Sequence, residues 1–325
     1  MARITLIKLR ALGDTVLLTS SIQRLLEATD LEIDVLVPAP FRELLENYDP
    51  RVQVLDLPYG YRDLLRTGRA LARRKPAYVC ALHAQSRSAI LAWLSGARMR
   101  SIHVHSATKK HFLATCHIPE QGIAKNILLR DGAALDALGL PGKQKMPQLH
   151  AEKALVPEPS LMLGLGASRS TKAWGLLHFV QAARLWQART KGTVFFITGP
   201  GEEDMRAAFQ ALMPEAHAIH GSLSYCASML QAASVFLGND SGPRHMAASL
   251  GVPTVTLFGP ENPTEWHPYD RAKHPVFFLA DLPCRMVHSS GDLPWCGIPL
   301  CVREQHRCMQ FDPKDVAEVV IKVMR

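Results

Sequence analysis

No apolar run in this chain of 325 residues approaches the ~20 residues a membrane span needs. The opening segment, MARITLIKLRALGD, carries charge inside its apolar part and lacks a small-residue cleavage site. No secretory signal is therefore expected, and the protein is expected to stay in the cytoplasm. Paired C-x2-C spacings of the common zinc sites are missing. No repeat of solenoid length recurs, and there is no low-complexity tract. Aromatic residues make up only 7% of the chain, without the aromatic-and-basic module of nucleic-acid binders. The 7 cysteines, an odd number, suit a reducing compartment better than a disulfide framework.

What remains is the composition of a globular protein with a substantial core: 47% apolar and 20% charged. The net charge of +8 points to an acidic partner: a phosphorylated substrate, a nucleic acid or an anionic membrane surface. The length allows two domains. Short apolar strands are expected at Ile4–Leu9, Ile33–Val37, Val52–Leu57 and Tyr78–Leu82. Helical spacing is expected at Thr15–Ala28, around Phe41–Asn47 and at Tyr61–Arg74. This alternation predicts βαβ units and a parallel sheet. The segment Lys143–Ser160, with Pro147, Pro157 and Pro159, reads as a linker. Alternation then restarts with strands at Leu161–Leu165 and Thr193–Thr198. Helices are expected at Gly175–Arg189, Glu203–Leu212 and Tyr225–Ala233, and an amphipathic helix closes the chain at Pro313–Met324. Two α/β halves imply a cleft between them, where ligands bind.

Three strand-to-helix turns carry chemistry. In the first, Gly13-Asp14-Thr15, Asp14 reads as a helix N-cap, as a catalytic carboxylate, or as both. A helix N-terminus is expected to lower its pKa. In the second, Gly166 to Trp174, hydroxyls including Ser168 cluster with Arg169 and Lys172 just before a helix. Such a loop holds a diphosphate by charge-assisted hydrogen bonds, or is simply solvated. Trp174 reads as packing. In the third, Asn239 to Arg244, Pro243 opens a helix whose free N–H groups and dipole favour an anion. There Asp240 is placed to accept from sugar hydroxyls. Ser241 and the N–H groups of Gly242 and Arg244 are placed to hold phosphate. His245 is either a further donor or a structural histidine.

Four stretches, KLRALGDTVLLTSSI, GASRSTKAWGLLHF, NDSGPRHMAASLGVPTVTLFGPENPTEWHP and CGIPLCVREQHRCMQFDPKDV, together resemble the ADP-heptose:lipopolysaccharide heptosyltransferases, glycosyltransferase family 9. The resemblance implies an α/β fold of the GT-B class, two Rossmann-like domains facing across a cleft. Residues 1–155 would form the acceptor side and 156–311 the nucleotide-sugar side, with helix 312–325 packing back on the first domain. It implies inverting transfer of heptose from ADP-heptose to the lipopolysaccharide inner core, with Kdo or heptose as acceptor and no metal or other cofactor. By motif, Asp14 would be the general base and Lys172 would neutralise the leaving diphosphate. Ser241, Gly242 and His245 would hold the diphosphate, Asp240 the heptose, Glu203 the ribose, Leu223 would pack on adenine, and Ser168 would belong to the same donor site. One departure stands out: the middle motif begins Leu165-Gly166-Ala167 where the family has Pro-Gly-Ala, which bears on loop shape.

Arg62, Arg66, Arg69 and Arg73 fall on one helical face, opposite Leu64 and Leu71. The face is either solvated or binds an anion. With only Asp63 nearby, an anionic acceptor such as Kdo carboxylates or lipid A phosphates is the stronger reading. Arg98, Arg100, Lys109, Lys110 and Arg130 are expected to extend the patch, which would also rest on anionic headgroups of the inner membrane. Cys284, Cys296, Cys301 and Cys308 read as free thiols or a structural metal site, and Cys80, Cys116 and Cys226 as core. The other readings of the chain are a family member using another nucleotide sugar or a protein acceptor, and a basic nucleic-acid-binding protein. No nucleic-acid partner is expected.

Overall fold

The computed structural model describes residues 1–57, 60, 63–104, 110–119, 126–285, 296, 301 and 306–324. The chain divides into two compact units, Met1–Pro147 and Gln148–Arg325. The boundary falls inside the proline-rich segment read as a linker.

The first unit runs β1 (Arg3–Ile7), α1 (Leu12–Ala28), β2 (Glu32–Pro38), β3 (Val52–Leu57), α2 (Leu64–Arg73), β4 (Tyr78–Ala81), α3 (Ser86–Leu94), β5 (Met99–Ile102) and α4 (Ile127–Asp136). Its five strands are all parallel, in the order β3-β2-β1-β4-β5. Parallel strands joined by helices are covered on both faces, which explains why β1 and β2 are buried without a break after their first residues. One core cluster sets Ile4, Leu6, Val35 and Cys80 against Leu18, Ile22 and Leu135. Another sets Ile7, Leu36 and Val79 against Leu64, Leu71 and Leu91. The helix expected around Phe41–Asn47 is a 3-10 turn at Ala39–Leu44, opened by Pro38.

The second unit repeats the scheme: β6 (Ser160–Gly164), α5 (Leu176–Thr190), β7 (Thr193–Ile197), α6 (Glu203–Leu212), β8 (His217–Ile219), α7 (Leu223–Ala232), β9 (Val235–Asn239), α8 (Gly242–Ser249), β10 (Thr254–Phe258), α9 (Pro263–Trp266), β11 (Val276–Phe278) and α10 (Pro313–Met324). The sheet order is β11-β10-β9-β6-β7-β8, again all parallel. In both sheets the strand order reverses beside the first strand of the unit. Ligands of open α/β sheets bind outside the carboxyl ends of strands at such a point. In the second unit those ends carry the Gly166–Trp174 loop after β6 and the Asn239–Gly242 turn after β9.

The closing helix contributes to the core of the second unit. Val316, Ala317, Val320 and Ile321 of α10 belong to the core of the second unit, with Trp186, Phe179 and Phe311. The apolar face of α10 packs beside α5. Cys80 and Cys226 are buried as expected, whereas Cys116 is half-buried at the edge of its core. Among the described residues no helix is long and apolar enough to cross a membrane.

Candidate functional site

The best-defined constellation lies at the switch point of the second sheet. Asn239, the last residue of β9, is fully buried. Its side-chain N–H donates to the Leu165 carbonyl at 2.8 Å, and its Oδ1 accepts from the Trp174 N–H at 3.0 Å. One amide thus clamps both ends of the Gly166–Trp174 loop. Trp174 itself is buried edge-on against Phe179 and is a packing residue.

Within this frame Lys172 meets Asp240, Nζ to Oδ2 at 2.6 Å. The other carboxylate oxygen accepts from Arg244 Nη2 at 2.6 Å and Nε at 2.9 Å. Arg244, in the first turn of α8, also donates to the Trp266 carbonyl at 3.0 Å and stacks over Phe258. Burial alone would raise the Asp240 carboxyl. Lys172 and Arg244 more than offset that and hold it well below the usual carboxylate range. The lysine therefore sits in a fixed place with two of its three donors uncommitted to this pair. Beside it, the Ser241 Oγ is shielded from solvent and has no hydrogen-bond partner. Ser241 caps α8 without a side-chain cap bond, directly before Gly242 and Pro243.

His245 is buried, its Nδ1 2.8 Å from the Tyr269 hydroxyl. Burial, and then the Arg244 guanidinium, push its pKa well below the ordinary value, so the imidazole is neutral. Burial drives the Tyr269 phenol up to about 12. His267 donates from Nε2 to the His274 carbonyl at 2.8 Å, which leaves Nδ1 as an acceptor facing Arg244 Nη1 at 3.4 Å. Burial and Arg244 lower His267 to about 3, and burial lowers His274 to about 4.

Glu203 is exposed and accepts from the Gly201 N–H at 3.2 Å. Glu202, not singled out by the sequence reading, borders the loop instead. Its Oε2 accepts from the Gly199 N–H at 2.6 Å, and a Cβ on Gly166 would collide with its Oε1. No sequence signal separates two adjacent glutamates at a helix start. Ser168 is exposed, and Leu223 is half-buried in the first turn of α7, after its N-cap Ser222. Arg169 pairs with Glu261 across the same edge, a carboxyl raised mainly by burial. Arg285 ties the chain beyond β11 to the end of β10, donating to the Gly259 and Pro260 carbonyls and stacking over Phe278. Among the described residues no group of three or more His, Cys, Asp or Glu is disposed to hold a metal ion.

In the first unit the switch point carries a second cluster. Helix α1 starts at Leu12 after Ala11, whose backbone has φ 42°. Asp14 is thus the third helical residue and not the N-cap, and it makes no cap bond. Its pKa is raised, not lowered as the helix position suggested. Burial is the main cause, with Asp131 adding to it and Lys8, Arg130 and Arg10 opposing. Lys8, fully buried at the end of β1, donates to both oxygens of Asp131 at 2.8 and 3.1 Å and lies 3.9 Å from Asp14 Oδ1. Arg130, expected on a surface patch, is buried on α4 next to this cluster.

The arginine face is partly visible. Arg66, Arg69 and Arg73 are exposed on α2 while Leu64, Gly68 and Leu71 face inward. Arg62 and Lys109 lie outside the described residues. Arg98 and Lys110 are exposed, but Arg100 is half-buried, its guanidinium bound to the Leu113 and Ala97 carbonyls as a brace.

Comparison with known proteins bears on both units. Residues 64–289 match the family model of glycosyltransferase family 9 (heptosyltransferase). The chain is 28% identical over 174 residues to lipooligosaccharide heptosyltransferase 2 of Campylobacter jejuni subsp. jejuni serotype O:2, covering 48% of this chain and 49% of that protein. It is 41% identical over 63 residues to lipopolysaccharide heptosyltransferase 1 of Pseudomonas aeruginosa, covering 19% of this chain and 17% of that protein. The chain therefore spans about half the length, or less, of the curated relatives it matches. Among solved structures, it resembles E. coli ADP-heptose lps heptosyltransferase II with a TM-score of 0.76 at 20% identity, over 99% of this chain and 98% of that one. It also resembles an E. coli heptosyltransferase with ADP-2-deoxy-2-fluoro heptose, with a TM-score of 0.66 at 18% identity, over 85% and 93%. At such identities the likeness concerns the fold, and the expected architecture of two parallel-sheet, Rossmann-like units of the GT-B class is the one observed.

Proposed function

The chain belongs to glycosyltransferase family 9, the heptosyltransferase family, and on that premise we propose that it transfers heptose from ADP-heptose, with inversion, to the anionic inner core of lipopolysaccharide. The observation that carries the reading is the Lys172–Asp240–Arg244 relay beside the unpartnered Ser241 hydroxyl at the start of α8. Cleaving a glycosyl phosphate leaves negative charge on the diphosphate and positive charge on the sugar. A fixed ammonium and a helix N-terminus stabilise the first without a metal. In this reading Lys172, Ser241, Gly242 and neutral His245 hold the diphosphate, with exposed Ser168 at the loop's rim. Leu223 packs on the adenine. Glu202, the carboxylate beside Gly166, takes the ribose contact in place of Glu203.

Asp240 keeps Lys172 in position, and its remaining lone pair accepts from the heptose. Asp14 removes the proton of the attacking hydroxyl. Its raised pKa makes it a stronger base than a carboxylate at a solvated helix start. The exposed Arg66, Arg69 and Arg73 face suits Kdo carboxylates or phosphates of the acceptor. With exposed Leu65 on α2 it also suits peripheral contact with the cytoplasmic face of the inner membrane. The protein then works in the cytoplasm with a nucleotide-sugar donor and a lipid-linked acceptor, and without nucleic acid.

The test is release of ADP from ADP-heptose in the presence of defined Kdo-lipid A or heptosylated acceptors. Turnover with one of these and not with other nucleotide sugars or a protein acceptor is the expected result. Turnover with another donor or with protein alone would replace the substrate assignment.

A further inference from the structure

The cluster behind Asp14 holds more charge than folding requires. Lys8 is 0% exposed, directly after the central strand β1 and between Ile7 and Leu9, and its ammonium is already paired with both oxygens of Asp131 on α4. A buried ammonium needs one such partner to offset its lost hydration. Here a second carboxylate, Asp14, lies 3.9 Å from the same nitrogen, and it is the member that retains access to solvent: its side chain is 14% exposed against 3% for Asp131. Lys8 is the deepest of the three, Asp131 is nearly as buried, and Asp14 is the one nearest solvent.

We propose that Lys8 is the positioning residue of this centre, keeping the Asp14 carboxylate ionised and in place, and that Asp131 in turn fixes Lys8. This rests on the reading of Asp14 as the general base. The charged groups facing Asp14 are Lys8 from directly after β1, Arg10 from the turn before α1, and Asp131 and Arg130 from α4. Asp14 works as a base only when ionised, so activity falls as pH drops through its pKa. Burial moves that limb upward and the Lys8 charge moves it down. Removing Lys8 leaves two buried carboxylates without their shared cation, whereas removing the Asp131 charge leaves the Lys8 charge acting on Asp14 alone. The two changes must therefore displace the limb in opposite directions, which a purely structural pair would not do.

The experiment measures kcat/KM for the acceptor against pH in the full chain for Lys8→Met, Lys8→Arg, Asp131→Asn and Asp14→Asn. Expected are an upward displacement of the acid limb by about one pH unit or more in Lys8→Met, the size of a lost ion-pair neighbour. Lys8→Arg should return the limb most of the way, and Asp131→Asn should lower it. An unmoved limb in Lys8→Met, with Asp14→Asn inactive, overturns the proposal and leaves the base assignment standing. Near-normal activity in Asp14→Asn overturns the base assignment and the proposal with it. Should Lys8→Met fail to fold, Asp131→Asn, which keeps a hydrogen-bond acceptor for Lys8, decides: a limb at lower pH supports the proposal, and an unmoved limb overturns it.

Discussion

Lys172 and Asp240 stand on different strand-to-helix turns, yet Nζ and Oδ2 meet at 2.6 Å with both side chains nearly buried. The pair joins the loop after β6 to the turn after β9, and Arg244 closes it from α8. A lysine held this way is preorganised: its position is set before any diphosphate arrives, so less ordering is left for binding.

Loss of that ammonium is expected to weaken the donor. Lys172→Ala should lower ADP affinity roughly tenfold or more, from the ~1.5–3 kcal/mol of a hydrogen bond to a charged group. Titration calorimetry with ADP measures it. Unchanged affinity would move the diphosphate elsewhere.

Ser241→Ala separates binding from stability. The hydroxyl is shielded and unpartnered, so its removal costs the folded chain nothing, and the melting temperature should hold or rise. ADP affinity should still fall severalfold, in line with ~0.5–1.5 kcal/mol for a neutral hydrogen bond. A lower melting temperature with unchanged affinity would mean that the hydroxyl serves the fold alone.

Asp14→Asn keeps the volume and removes the base. A fall in kcat of about 10²–10⁴ is expected, with the acceptor KM little changed. Single-turnover rates at saturating donor and acceptor check it, and near-wild-type rates would exclude the role.

The exposed face of α2 should act through charge. Replacing Arg66 and Arg73 with Ala is expected to raise the acceptor KM about fivefold at low ionic strength, at ~0.5 kcal/mol per exposed cation. The donor KM should stay put. The difference from wild type should shrink as salt is added, since screening acts over ~10 Å at 0.1 M. Wild-type acceptor kinetics at low salt would make the face merely solvated.

Acid should destabilise the second unit early. His267 and His274 are buried and neutral, with pKa values lowered to about 3 and about 4. The unfolded chain binds their protons near pH 6.5. Their contribution is complete above that pH and is lost as pH falls toward 4, at about 1.4 kcal/mol per unit per histidine. Urea unfolding across pH 7 to 4 should show this slope, and His274→Gln should flatten it. An unaltered slope would assign the acid sensitivity to other groups.

The alternation of apolar runs and helical spacings was enough to expect two parallel sheets, because burial on both faces writes itself into local sequence, but the short edge strands β5, β8 and β11 were not legible in it. The arginine stripe of α2 and the three strand-to-helix turns were legible for the same reason: each is decided within a few residues. What depended on partners far away in the chain was not legible. Lys8 looked like one cation in an apolar strand until Asp131 came to it. Glu202 and Glu203 differ only in which one faces Gly166. Arg130 read as surface charge and is buried on α4, and the pKa of Asp14 moved opposite to its helix position because burial outweighed the dipole. The closing helix showed its apolar face in sequence, but that this face meets α5, Trp186 and Phe311 was decided by the tertiary structure. Periodicity specifies that a side is buried. The identity of the groups it meets, and hence the charge and reach of the site, is fixed by packing between residues that the sequence keeps apart.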